Sequence, residues 1–339
     1  MAKRNSHCLE STPRLTCPES RLRRNEGAEW IRRLSDWRGV NAVVLCIAAG
    51  IFGPPAWADL AAGLQAMKAG DFAKAVQEFT PLAEKGDAVA QFHLGFLYAS
   101  GTGVPQDYAE ALRWYRSAAE KGNASAQTNL GLMYDHGEGA PQDYQQALAW
   151  YRKAADQGEP TAQFNLGVMY DSGHGVPQDY SQAMAWYRKA AEQEDAGAQF
   201  NLAVMYAAGH GVPQDYAEAF LWCHAAALRG HVNAQFNLGF LYDSGEGVPQ
   251  DDGEALRWYR KAADRGQTRA QYNLGVMYAE GRGAPRDYVQ AHMWVSLAAL
   301  GSSGEDRDNA AAERDFLAGK MTAEQIAAAL RLAREWKAK

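Results

Sequence analysis

From Ala88 to Gly301 the apolar positions form a pattern that returns every 36 residues. One period reads "AQFNLGVMYDSGHGVPQDYSQAMAWYRKAAEQ". Ala162, Leu166 and Met169 share one face at helical spacing, with Tyr170 beside them, and Ala183, Trp186, Tyr187 and Ala190 do the same further on. No β-branched run or strict alternation suggests a strand, so each period predicts two helices. Gly173 and Gly175 end the first by letting the chain turn through left-handed conformations. Pro177 fixes the approach to the second, and Asp179 starts it as N-cap. Three residues after that Asp stands Glu or Gln in every period (Glu110, Gln146, Gln182, Glu218, Glu254, Gln290), which predicts six capping boxes.

The register does not slip. An Ala-Gln pair opens at Ala90, Ala126, Ala162, Ala198, Ala234 and Ala270, and the loop proline returns at Pro105, Pro141, Pro177, Pro213, Pro249 and Pro285. A period in this range means stacked repeats. It also disposes of an active-site reading of "YDSGHGVPQDY". The His174 position holds Thr102, Glu138, His210, Glu246 and Arg282 in the other copies, and a group needed in each would not vary so. The Gly-x-Gly follows a helix rather than a strand and lacks a phosphate-loop lysine.

These residues resemble the Sel-one-like repeat (SLR), the 36-residue branch of the tetratricopeptide-repeat (TPR) superfamily. The resemblance implies an all-α fold, a right-handed superhelical solenoid of stacked helix-turn-helix repeats, and a scaffold that binds proteins. Residues 88–301 make six repeats and residues 59–87 a divergent TPR-like one, with Phe72 lying 36 before Tyr108. Pro81 predicts a bend in the second helix of that repeat. Residues 302–339 predict a helical cap: a loop "SSGEDR", then helices over about Asp308–Gly319 and Thr322–Lys337. Thr322 with Gln325 forms a further capping box, and Trp336 packs back on the last repeat.

The first 58 residues differ in kind. They carry nine basic and five acidic residues of the 34 and 40 in the whole chain, which leaves 25 against 35 and a net charge of −10 for the rest. Such a surface argues against nucleic acid as a partner. Arginines precede the eleven apolar residues Ala42 to Phe52, and Gly53-Pro54-Pro55 and Ala56-Trp57-Ala58 follow. That is the three-part secretory signal, with cleavage after Ala58. Eleven residues fall short of the roughly 20 needed to span a bilayer. The expected product is an exported monomer, periplasmic or secreted, with no stable membrane span. Only Cys223 remains in it, so no internal disulfide is expected.

Few residues offer chemistry. The series Trp114, Trp150, Trp186, Trp222, Trp258, Trp294 reads as packing between repeats. His174 and His210 lack a ligand cluster, and neither metal nor cofactor is expected. Cys223 and His224 are helix neighbours pointing about 100° apart, which disfavours a thiol–imidazole pair. The chain lacks the paired cysteines and the Ser-x-x-Lys motif of a β-lactamase-type hydrolase, so no enzyme is expected. The alternative to a protein scaffold is a binder of envelope polysaccharide or peptidoglycan fragments.

One series stands out. The first helix carries His93, Asn129, Asn165, Asn201, Asn237 and Asn273 at one interior position. Asparagine is a mediocre helix former, because its amide competes for backbone hydrogen bonds. Either each amide bonds the neighbouring repeat, or it holds a bound peptide's backbone, as the matching Asn does in TPR proteins. In the second case the variable residues Phe96, Leu132, Val168, Val204, Phe240 and Val276 set side-chain preference.

Overall fold

The computed structural model describes residues 56–338, with side chains from residue 60 onward. The apolar core of the expected signal, Ala42 to Phe52, therefore lies outside the described residues, while Ala56-Trp57-Ala58 begins the first helix. Sixteen helices and no strand occur among the described residues. Two helices precede the six repeats, α1 (Ala56–Lys68) and α2 (Phe72–Glu84), in the segment expected to be a divergent repeat. Then come six pairs, an A helix followed by a B helix: α3 (Ala88–Ser100) and α4 (Tyr108–Glu120), α5 (Ala124–His136) and α6 (Tyr144–Asp156), α7 (Pro160–Ser172) and α8 (Tyr180–Glu192). The remaining pairs are α9 (Ala196–Ala208) and α10 (Tyr216–Leu228), α11 (Val232–Ser244) and α12 (Asp252–Asp264), and α13 (Thr268–Glu280) and α14 (Tyr288–Gly301). The cap is α15 (Gly304–Ala318) and α16 (Ala323–Glu335).

The helices fall into two compact units, one ending at Gln178 and the other beginning at Asp179. Within each, every helix packs on its sequence neighbours, which is the contact pattern of a repeat solenoid. Both cap helices pack on α14.

The turn between A and B helices explains its own sequence. In each repeat the first glycine (Gly101, Gly137, Gly173, Gly209, Gly245, Gly281) is the left-handed C-cap of the A helix, with φ between 68° and 77°. The second glycine serves the stack. A Cβ on Gly139 would strike the carbonyl of Tyr108, and one on Gly247 that of Tyr216. Each turn thus rides on the first residue of the preceding B helix. His174 stacks on Tyr144 at 4.8 Å and His210 on Tyr180 at 4.5 Å in the same way. The histidines of the loop are packing groups against that tyrosine.

The six capping boxes form only by half. Asp107, Asp143, Asp179, Asp215, Asp251 and Asp287 each accept from two backbone N–H groups of the first turn. The reciprocal bond is pre-empted, because the backbone N–H of Asp107 donates to Tyr98 O at 3.0 Å, and those of Asp143, Asp215, Asp251 and Asp287 bond the corresponding tyrosines. Glu110 and Glu254 turn instead to Arg113 and Arg257. The complete box is the one at Thr322 and Gln325, with bonds of 2.9 and 3.3 Å. Pro81 lies inside α2 and removes the N–H that would reach the carbonyl of Gln77, yet the helix runs on to Glu84. Helix α15 begins at Gly304, inside the segment read as a loop; Glu305 and Asp306 in its first turn suit the helix dipole, and Asp306 bonds Arg269 at 3.2 Å.

Candidate binding surface

Most of the repeated polar side chains hold the stack together. The Gln of each Ala-Gln pair is buried at the base of an A helix. Its Nε2 donates to a carbonyl in the last turn of the preceding B helix: Gln91 to Ala83 at 2.9 Å, Gln127 to Ala119 at 3.0 Å, Gln199 to Ala191 at 3.2 Å, Gln271 to Ala263 at 3.2 Å. Each of these carbonyls already accepts a backbone N–H of the turn that follows, such as Gly122 N on Ala119 O at 3.0 Å, and the glutamine fills its second lone pair from the next repeat. The sequence marked this Gln as a register mark; its role follows from which helix end lies opposite.

A second tie joins B helices to the next A helix. Arg152 donates to the Tyr170 hydroxyl at 2.7 Å, and Arg188 to that of Tyr206 at 2.7 Å. The buried B-helix tyrosines tie the two helices of their own repeat. Tyr151 donates to Asp135 at 3.3 Å and Tyr259 to Asp243 at 3.3 Å. Burial raises the pKa of both hydroxyls, and the adjacent carboxylates raise it further. These tyrosines are neutral donors.

The tryptophans are less enclosed than a pure core reading implies. Trp114, Trp258 and Trp294 are buried, whereas Trp150, Trp186 and Trp222 are half-buried. Lys153, Lys189 and Lys261 place their Nζ 3.9, 3.8 and 3.7 Å from the ring centroids of Trp150, Trp186 and Trp258. Cys223 is buried, its Sγ 3.2 Å from Ala234 O, and burial pushes the thiol pKa up, which leaves it unreactive. No group of three or more metal-ligating side chains occurs among the described residues. Among those residues, no helix is long and apolar enough to cross a membrane.

The asparagine series sits on the A helices between these ties. Asn129, Asn165 and Asn273 are half-buried, and Asn201 and Asn237 are buried. Two of them meet a tyrosine of the preceding repeat. The Tyr115 hydroxyl is pushed up by burial and pulled back by its hydrogen bond to Asn129, and Asn273 acts likewise on Tyr259. Where that partner is a phenylalanine, the series changes too: His93 stacks on Phe79 at 5.0 Å. Asn237 lies fourteen residues after Cys223, the spacing that brings Asn129 to Tyr115, so no tyrosine hydroxyl is offered there. The Nδ2 of Asn165 is buried without a hydrogen-bond partner. Three residues on, Phe96, Leu132, Val168, Phe240 and Val276 are all half-buried, while Val204 is buried.

A solenoid of short α-hairpins tied end to end by glutamine, tyrosine and arginine defines a helical-repeat scaffold. The Sel1 repeat family matches residues 88–123, 124–159, 160–195, 196–231, 232–267 and 268–303, and the chain belongs to that family. Members of this family are generally scaffolds for protein–protein interaction and typically not enzymes. The chain is similar to the crystal structure of a Sel1 repeat protein from Oxalobacter formigenes, at 35% identity and a TM-score of 0.67, covering 71% of this chain and 98% of that one. A protective antigen of uropathogenic Escherichia coli with an SLR fold aligns at 28% identity and a TM-score of 0.46, over 83% of this chain and 84% of that one. A Sel1 repeat protein from Klebsiella pneumoniae aligns at 27% identity and a TM-score of 0.40, over 61% and 99%. No curated protein matches the chain significantly.

Proposed function

We propose that this chain is an exported adaptor, periplasmic or secreted, that binds a protein or extended peptide along its A helices. Repeats hold their neighbours mainly through Gln, Tyr and Arg, and part of the Asn series serves them too: Asn129 and Asn273 bond tyrosines of the preceding repeat, whereas Asn237 has no such hydroxyl beside it. The supporting observation is the apolar residue three after each Asn. Phe96, Leu132 and Val168 in one unit, and Phe240 and Val276 in the other, keep part of their surface open. The Asn series supplies donor and acceptor beside it, a pairing that suits a peptide backbone of any sequence. The site residues are His93, Asn129, Asn165, Asn201, Asn237, Asn273, Phe96 and Phe240. Export rests on the arginine-led apolar segment before Ala58.

Asn237 is the most informative position, because no tyrosine hydroxyl claims its amide. The mature chain is immobilised and exposed to an envelope extract. One protein retained at 1:1 stoichiometry, and held about tenfold more weakly by Asn237→Ala with Phe240→Ala, supports the reading. The variant's circular dichroism must match the parent. Equal retention by both chains refutes this surface. Retention of a glycan instead supports the polysaccharide alternative.

A further inference from the structure

The B helix of the fourth repeat breaks the polarity rule of its neighbours. The solvent side of a B helix is set by four positions at spacing i, i+3, i+4 and i+7. They read Arg113, Arg116, Ser117, Glu120 in the first repeat and Ala185, Arg188, Lys189, Glu192 in the third. In the fifth they read Arg257, Arg260, Lys261, Asp264. In α10 they are Leu221, His224, Ala225 and Leu228. Leu221 is 60% exposed and Leu228 63% exposed, one on each side of the half-buried His224 and Ala225. An isolated exposed leucine means little, but two on one helical stripe leave an unpartnered apolar ridge. The missing arginine at His224 is accommodated: Phe220 stands edge-on to Tyr242 at 5.4 Å, and His224 edge-on to Trp258 at 6.0 Å.

The same unit shows what such a ridge accepts. In the sixth repeat the four positions are Met293, Ser296, Leu297 and Leu300, again without charge. There the first three are 6%, 5% and 8% exposed. The covering elements are α15 and α16, which join Met293, Trp294 and Leu297 in one apolar cluster through Ala310, Leu317, Ala329 and Ala333. The first three of these positions, open in the other repeats, are thus closed by an amphipathic helix in the sixth, while Leu300, the counterpart of Leu228, stays 81% exposed. Helix α15, "GEDRDNAAAERDFLA", has five acidic residues to two basic, and its Asp306 bonds Arg269.

We propose that the α10 ridge docks an amphipathic helix of a partner protein, with an apolar stripe for Leu221 and Leu228 and acidic flanks. The flanks follow from the neighbours. Exposed Arg188 and Lys189 of α8 and Lys261 of α12 lie on the B helices before and after it, while Arg257 of α12 is paired with Glu254. Glu192 and Asp264 stand only at the far ends of those helices, and Glu194 is taken by Arg229 at 2.5 Å. A second copy docking face to face would set these cations against their own kind. An acidic helix meets them with opposite charge, which also speeds encounter.

The test uses two labelled synthetic 20-residue helical peptides with one leucine ridge, flanked in one by glutamates and in the other by lysines. Fluorescence anisotropy on the chain should show saturable binding of the glutamate peptide, with little for the lysine peptide. Leu221→Ser with Leu228→Ser should weaken it about tenfold or more, at an unchanged melting temperature since both leucines are exposed. Three results overturn the proposal: no saturable binding of the glutamate peptide up to millimolar concentration, equal binding by the variant, or equal binding of the two peptides. A concentration-dependent dimer of the chain, lost in the variant, also overturns it and assigns the ridge to a second copy. None of these outcomes bears on the A-helix surface, whose residues are untouched.

Discussion

Gly131 lies flat against the ring of Tyr151: a Cβ there would sit 2.6 Å from Cε1. Gly95 meets Tyr115 and Gly239 meets Tyr259 at the same twenty-residue spacing. In the fourth repeat the corresponding pair is Ala203 and Cys223, both in one apolar cluster. The smaller partner admits the larger helix residue. Glycine inside a helix costs about 1 kcal/mol against alanine, and here it is kept for a close approach of two helices. The expected outcome is therefore a coupled pair. Gly131→Ala should destabilise by about 1–3 kcal/mol through overpacking. Gly131→Ala with Tyr151→Cys should lose clearly less than the sum of the two single changes. Urea titrations of the four chains measure the coupling, and strict additivity would contradict the packing account.

Two glycines with the same backbone handedness should respond unequally to alanine. Gly122 has φ 89° and open space around a Cβ, so Gly122→Ala should cost only the left-handed strain, about 1–2 kcal/mol. Gly139 has φ 73°, and its Cβ would strike the backbone of the preceding repeat at Tyr108. Gly139→Ala should cost that strain and a loosened repeat interface as well. Hydrogen exchange of the α4 and α5 amides should rise in the second variant and stay near the parent in the first. Equal melting temperatures for the two would show that the turn does not bear on its neighbour.

Acid should loosen the α11 end of the stack. His231 is the N-cap of α11, its Nδ1 accepting from Ala234 N at 3.2 Å, and its ring stacks on Phe200 at 4.5 Å. Burial, and then the charge of Arg265, lowers its pKa from 6.5 to about 4. The folded chain thus holds it neutral where the unfolded chain binds a proton. Its contribution is complete above pH 6.5, declines as the pH falls from 6.5 toward 4, and changes no further below that. The whole decline amounts to about 3 kcal/mol at most. His231→Asn should flatten that decline yet keep the cap, since Asn123 performs the same task for Ala126 in the second repeat at 2.8 Å. A pH series of urea midpoints on both chains decides it; parallel curves would exclude His231 as the titrating group.

The helices and their stacking were legible in the residues alone, because both rest on local, repeated physics. Apolar spacing fixed the two faces, the aspartates fixed the B-helix starts, and a 36-residue period with no slippage left neighbours only one register in which to meet. The sequence also set the asparagine series apart as a polar residue in an unfavourable place. What it could not assign was the partner of each polar group, since that depends on which end of another helix comes near. The Asp backbone N–H groups went to the tyrosine carbonyls of the A helix, which undid half of each expected capping box. The buried glutamines found carbonyls eight residues back, across a turn. Asn129 and Asn273 found tyrosine hydroxyls of the repeat before. Met293 and Leu221 occupy one position of the repeat and carry similar apolar side chains, yet one is buried and the other open. Only the packing of α15 and α16 on α14 made that difference, because burial belongs to what covers a residue and not to the residue itself.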